Sequence, residues 1–465
     1  MLTSAFTASG LEPVGHVLNP RSWVEILTSV DGDDVSTGIQ PSKMSLHRGS
    51  HNKADEAKIT VDSTAFDFPV RLIGGAVVSL YFGLVEEAHD LAKKREYERF
   101  FGAVVDYGLD TQGRISSLEA QDLSYLLRKK TYPIRKTIVT DGNGRSSTID
   151  PTPRYSDTLE QAILRLLSII PEFADPTLPP PLTLRKTDAL QGAVLGSVVS
   201  GRAKSGTVPL KPDSTVWEGI EHLCGLFGHH VKVDLREIVV RTAEEVFAGR
   251  TSRCTFIFGG PNANANGPKF NKKPQANRNG VRVIVHDPEQ RKTLTAIYPD
   301  EATQAAISRK QPRHQRAKPT RQQHSKPKAS PPPPPRDVYE LDPGHYTQAA
   351  LDAKAKAIYL ERSRQEADGS VSTPIWTEEI CNLMNGDLIT VKVNRDIQQQ
   401  LALIGDDGAA AQFLRERMGY SQAAADALVR ASRKPSRDDW YAKEITFDHP
   451  SESLATVRFI NLVEI

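Results

Sequence analysis

The residues with the types and spacing for chemistry fall into a few groups, and each must be weighed against a bland alternative. Gly259-Gly260-Pro261-Asn262-Ala263-Asn264-Ala265-Asn266-Gly267-Pro268-Lys269 is glycine-rich and follows a strand-like run, as a phosphate loop does. It lacks the GxxxxGK[ST] spacing and precedes no helical pattern, so it reads as a surface loop. His222, Cys224, His229 and His230 are close in sequence. At helical spacing, however, His222 and Cys224 lie on different faces, and the two later histidines follow a turn at Gly228, so no metal site is assigned. The carboxylate pairs Glu86-Glu87 and Asp406-Asp407 sit in polar stretches and read as solvated. There is no GxSxG elbow. A triad assembled in space leaves no sequence signature and stays open at this stage. No catalytic, cofactor-binding or metal-binding residue is assigned, and the chain is read as a non-enzyme.

One segment is chemically distinctive. From Arg309 to Arg336 the chain carries nine lysines and arginines and no acid. Arg309, Lys310, Arg313, Arg316, Lys318, Arg321, Lys326 and Lys328 are its candidate contact residues, and five consecutive prolines follow at 331–335. Such a composition buries no core, and the proline run favours extended polyproline II. Three readings stay open. The segment is a solvated flexible loop, a salt-sensitive and sequence-blind contact for DNA phosphates, or a docking arm for an acidic partner protein.

The elements that must carry these residues are those of a soluble globular chain with 38% hydrophobic and 25% charged residues. Its 465 residues suggest about two to four domains. No run of about 18 apolar residues suggests a transmembrane helix, and the first residues do not suggest a signal peptide. Cys224, Cys254 and Cys381 form no CxxC pair, which favours a reducing compartment. The net charge is +2, so the chain outside the basic segment carries 2 − 9 = −7. One basic segment on a mildly acidic body is not the charged folded face of a dedicated DNA-binding domain.

Residues 15–150 read as β-rich. Ala57 to Asp62 alternates strictly, Val77–Phe82, Phe100–Val105 and Arg114–Ala120 follow, and Leu123–Leu127 reads as a short helical turn. Ile134–Thr140 and Arg145–Ile149 flank Asp141-Gly142-Asn143-Gly144, a hairpin signal. An internal repeat comes next. Thr158 with Gln161 and Thr215 with Glu218 are capping boxes, each opening an apolar helical stripe: Leu159, Ile163, Leu166, Ile170 and Val216, Ile220, Leu223, Phe227. The second runs into a hairpin, Val231–Val233 to Ile238–Val240. A third, β-like region starts at Cys254–Phe258 and includes Val281–Val285. It resumes after the basic segment with a helix over Tyr346–Arg364 and a strand over Leu388–Val393. Residues 397–432 read as a helical insertion with a helix capped by Ser421, and Thr456–Val463 closes the sheet.

In this order, four stretches resemble the baseplate hub family of phage tails: late control protein D, the hub of contractile tails, and the hub half of type VI secretion spike proteins. They are Leu80-Tyr81-Phe82-Gly83 with Phe100-Phe101-Gly102-Ala103-Val104-Val105; the strand-to-helix step Ser116 to Asp122; the module Ser214-Thr215-Val216-Trp217-Glu218-Gly219-Ile220 through Val239-Val240-Arg241; and Leu383-Met384-Asn385-Gly386-Asp387-Leu388-Ile389-Thr390-Val391. Asn385 stands where the family pattern has proline.

The resemblance implies an α+β, mainly β fold with two related tail-tube-like β-barrel domains flanking a small α/β domain, and a helical insertion near the C-terminus. The expected division is 1–150 for the first barrel and 151–250 for the α/β insert. The second barrel takes 251–308, 338–395 and a closing strand at 451–465, interrupted by the basic loop at 309–337 and the helical insertion at 396–450. The family implies a homotrimeric ring in the virion tail baseplate, built in the host cytoplasm. The ring would join a hexameric tail tube protein to a trimeric spike or tail-tip protein around a DNA channel, with the tape-measure protein and transiting DNA as further partners. The alternatives are a tail-associated peptidoglycan hydrolase or peptidase, for which no globular stretch is spare, and a nucleic-acid-binding accessory protein, which rests on residues 309–336 alone.

Overall fold

The computed structural model describes residues 20–462, apart from 31–32, 51–52, 67, 74, 132–136, 141–145, 171–181, 200–205, 209, 212, 247–250, 260–262, 273–279, 288–290, 301–336, 342–345, 364, 394–396, 398–399, 402, 405, 433–438 and 450–453. Its first part is a run of strands: β1 (Arg21–Val30), β2 (Asp33–Ile39), β3 (Lys43–Arg48), β4 (Glu56–Thr60), β5 (Val77–Gly83), β6 (Glu98–Leu109) and β7 (Ile115–Asp122). A small hairpin follows, β8 (Thr137–Thr140) with β9 (Ser146–Ile149). The middle holds the helices Leu159–Leu167 and Val216–Leu226 with β10 (Thr183–Leu184), β11 (His229–Asp234) and β12 (Glu237–Thr242). The remaining strands are β13 (Cys254–Phe258), β14 (Asn266–Lys272), β15 (Val281–Asp287), β16 (Lys292–Tyr298), β17 (Asp337–Glu340), β18 (Gln365–Thr373), β19 (Leu388–Val393), β20 (Asp439–His449) and β21 (Leu454–Leu462). The fold is mainly β, as expected, and no helix among the described residues is long and apolar enough to cross a membrane.

Strand character follows from alternation. Ala57 and Ile59 of β4 are buried while Glu56, Lys58 and Thr60 are exposed, the period of a sheet wetted on one face. β5 is buried from Val78 to Gly83 and reads as a central strand covered on both sides.

The two β regions do not stand apart. Among the described residues, β1–β7 and β13, β14 and β18–β21 belong to one sheet of thirteen strands. The junction is β20, which pairs antiparallel with β3 from Ile445↔Arg48 to His449↔Met44 and with β21 on its other side. The side chains beneath form a single apolar cluster, in which Phe82 of β5 packs against Trp376 and against Phe447 of β20, at ring-centroid distances of 5.6 and 4.9 Å. The pairing closes no barrel among the described residues, in contrast to the two barrels the family resemblance implies. The physical reason is that β3 gives its outer edge to β20 instead of returning to β2. The later strands pair in the order β13, β19, β20, β21, β18, β14, and the two end strands of that order, β13 and β14, touch. The Asn264 side chain binds the Ile257 amide at 2.7 Å, and the helix Gln422–Ser432 packs over β14 and β19. The C-terminal helices Asp407–Met418 and Gln422–Ser432 are thus part of the sheet's cover, contributing Ala410, Leu414, Ala425 and Leu428 to the core.

A second core belongs to the helix–strand units. Both capping boxes form: Thr158 Oγ1 accepts from the Gln161 amide, Thr215 Oγ1 accepts from the Glu218 amide, and the Gln161 and Glu218 side chains accept in return. Val281–Val285, expected in the sheet of the third region, forms a strand but pairs elsewhere. β15 lies between β16 and β17 in a separate three-stranded sheet, and Val281, Val283 and Val285 bury in this second core against the helix Gln348–Ile358. Alternation says that one face of a strand is buried, not which element covers it.

Candidate functional site

Three parts of the chain meet at a polar seam around the turn from Arg48 to Asp55. Arg48 ends β3 and is buried. Its guanidinium donates to the Leu383 carbonyl at 2.5 Å and the Arg99 carbonyl at 3.1 Å, and it lies 5.6 Å from the centre of the Phe447 ring. Burial pulls it below its ordinary pKa. The next residue, Gly49, offers its carbonyl to two regions at once: Lys232 of β11 donates at 3.2 Å and Asn385 at 3.5 Å. Lys232 also pairs with Asp55 at 2.8 Å, with both side chains largely buried.

The Asp55 amide donates to Asp122 Oδ2 at 2.7 Å, and the Asp122 Oδ1 accepts from the Ser124 amide at 2.9 Å. Asp122 therefore ends β7, begins the helix Ser124–Lys129 and steadies the turn before β4. Burial, reinforced by the Asp55 carboxylate, pushes Asp122 up to about 6.

Further along the seam, Arg236 in the β11–β12 turn pairs with Glu98 of β6, whose carboxylate also accepts from Ser79 Oγ at 2.9 Å. The Arg236 guanidinium lies 3.8 Å from the centre of the Phe101 ring. Arg99 reaches Glu378 at 3.3 Å, and Glu378 accepts the Leu84 amide at 3.2 Å. In each pair one partner, Glu98 or Arg99, is buried and hydrogen-bonded while the other, Arg236 or Glu378, reaches it from the surface, so the buried charge fixes the geometry.

The helix Val216–Leu226 is tied to the same side. The Val216 amide donates to the Lys130 carbonyl at 2.8 Å, Trp217 Nε1 donates to Glu221 at 2.5 Å, and Arg128 lies 5.3 Å from the centre of the Trp217 ring. Asn385, the departure from the family proline, uses what proline lacks: its side-chain amide donates to the Lys443 carbonyl as well as to Gly49. Gly386 beside it has φ +89, and a Cβ there would lie 2.3 Å from the Val246 carbonyl oxygen.

The eight basic candidates, Arg309 to Lys328, lie outside the described residues. So do residues 260–262 of the glycine-rich loop; its Asn264 serves as a strand tie. Cys224 is buried, and burial raises its thiol well above the ordinary value, as expected of a small core residue. At the surface, Glu87, His89 and Asp90 bring three ligating atoms within 4.8 Å, but Asp90 also holds Lys93. The seam has no sequence signature because Lys232 lies 232 − 55 = 177 positions beyond Asp55. The Asp that ends the strand-to-helix step, Phe101, the Val216-Trp217 helix start and the Asn385-Gly386-Asp387 turn are the seam residues that the motifs include.

No family profile and no curated protein matches the sequence. Solved structures do match the fold. A tail protein from Neisseria meningitidis MC58 superposes with a TM-score of 0.50 at 11% identity, covering 95% of this chain and 97% of that one. The 43 kDa tail protein of prophage MuSo2 from Shewanella oneidensis gives 0.48 at 13% identity over 94% and 98%, and a prophage tail protein from Listeria monocytogenes EGD-e gives 0.44 at 10% identity over 95% of each. At the level of the fold, then, the chain is similar to a tail protein over nearly the whole length of both chains.

Proposed function

We propose that this chain is the structural hub of a phage-type tail: three copies form a ring around a DNA channel, with a hexameric tail tube on one face and a trimeric spike or tip on the other. The observation that carries the reading is the full-length fold shared with a tail protein. In this reading β1–β7 and the later sheet strands β13, β14 and β18–β21 act as two related tube-like units per copy, and the helix–strand units act as a bracket. The polar seam supports such a role, because it spends its charges on holding three regions in register and not on a reactive group. The division near residues 150 and 250, the interrupted third region and its helical insertion belong to the same proposal. Its setting is the virion, after assembly in the host cytoplasm.

Imaging or cross-linking of the assembled tail should find three copies about one axis, with the tube on one face. Six equivalent copies, or a position on the tail's outer surface, would overturn the hub reading. Arg309, Lys310, Arg313, Arg316, Lys318, Arg321, Lys326 and Lys328 are proposed as contacts for passing DNA or for an acidic tail partner. Replacing all eight with serine should abolish a salt-sensitive association with duplex DNA if the first of these holds.

A further inference from the structure

We infer that Glu98 and Arg99, neighbours of opposite sign on β6, form a two-sided charge key that assigns each face of the first β region to its cover: the β11–β12 hairpin to the Glu98 side, and the short helix Glu378–Cys381 to the Arg99 side. Apolar burial alone makes no such assignment, because both faces are apolar. On one side Leu80, Phe82 and Phe100 belong to the core beneath the large sheet. On the other, Val77 and Phe101 pack against the core of the helix–strand units. The hydrophobic effect has no direction, so it does not tell one cover from the other.

The backbone separates the two charges. β5 and β6 pair Ser79 with Phe101 and Leu80 with Phe100, and the register then slips, so that Tyr81 faces Glu98 and Arg99 is the extra residue. A bulge of this kind re-aims a side chain. Glu98 stays on the side of Phe101: its carboxylate accepts from Ser79 Oγ and pairs with Arg236, whose guanidinium also covers the Phe101 ring. Arg99 turns to the side of Phe82, with its guanidinium 5.9 Å from the centre of that ring, and reaches Glu378. Ile380 and Cys381 of the same short helix lie in the core that holds Phe82.

Both key residues are buried, and each pairs with a residue far along the chain, 138 positions later for Glu98 and 279 for Arg99. β6 thus carries two buried charges whose ion-pair partners belong to other parts of the molecule. Docked on the wrong face, each cover would meet its like: Arg236 would face Arg99, and Glu378 would face Glu98. Like charges brought together out of water oppose docking. Such a choice between two apolar faces uses the repulsive contact as much as the attractive one.

The test is urea unfolding of the full chain, with hydrogen exchange read on both sides of β6. Arg236→Met strands the Glu98 charge and should lower the folded-to-unfolded ratio on the order of a hundredfold. Glu98→Gln keeps an acceptor for Ser79 without the charge. It should raise stability in the Arg236→Met chain and lower it in the chain that keeps Arg236. Should Arg236→Met alone fail to fold, recovery of folding in the double variant is the same result, and a double variant that stays unfolded would overturn the key. So would an equal effect of Glu98→Gln in both backgrounds, which would show that Arg236 only packs on Phe101. Exchange should rise at the β11 and β12 amides in Arg236→Met, and at the Cys381 and Asn382 amides, bonded within the short helix, in Glu378→Gln. If either change loosened both sides equally, the two faces would not be keyed separately and the inference would fall.

Discussion

At the scale of single residues, the seam explains why small departures from a motif matter. Asn385 gives two hydrogen bonds that a proline has no donor to make. Gly386 must be glycine for two separate reasons, its positive φ and the 2.3 Å approach of the Val246 oxygen to any Cβ. Gly113, in the β6–β7 turn, has φ +76 but nothing within 4 Å of a Cβ. The pair separates backbone strain from crowding. Gly386→Ala should lower the urea midpoint by the equivalent of about 1–3 kcal/mol, and Gly113→Ala by clearly less. Equal losses would show that the Val246 contact is not what fixes the glycine. Residues of this kind were half-legible: the Asn-Gly-Asp run marks a turn from sequence alone, whereas the oxygen that forbids a side chain comes from a residue 140 positions earlier.

At the scale of elements, local rules were reliable and partner choice was not. The two capping boxes were readable because the Ser/Thr-to-Glu/Gln spacing is itself the mechanism. Both form, and they offer a matched test. Thr158→Ala and Thr215→Ala should each cost about 1 kcal/mol of stability, measured by chemical unfolding, since each leaves a helix amide without its acceptor. Thr215→Ala should show the larger effect, because the Thr215 hydroxyl also donates to Glu218 Oε2 at 3.1 Å, a second bond lost with it. A null result for both would mean that packing alone holds these helices. The strand over Val281–Val285 shows where such reasoning stops. Its alternation gave the element, but the face it buries meets the helix Gln348–Ile358, which lies beyond the basic segment. Likewise β3 and β20 are each recognisable as strands, yet nothing local in either directs them to pair across nearly the whole chain.

At the scale of the whole molecule, that long-range pairing governs how the chain should come apart. Two separate barrels would each own a core and could unfold in turn. Here one apolar cluster runs beneath both β regions, Phe82 meets Phe447 across the junction, and β20 is hydrogen-bonded to β3 on one side and to β21 on the other. Losing β20 would strip an edge of β3, uncover Phe82 and Trp376, and leave Arg48 facing the place where Phe447 had been. Unpaired edges and bared aromatics would then destabilise the first region as much as the last. The expectation is a single cooperative transition for the large sheet. Fluorescence from Trp23 on β1 and from Trp440 on β20, each isolated by replacing the other three tryptophans with phenylalanine, should report the same urea midpoint. A chain cut before Asp439 should lose the Trp23 transition as well. Two well-separated midpoints, or a truncated chain that keeps a native-like first region, would show that the two β regions are independent bodies and that the β3–β20 ladder only brings them side by side.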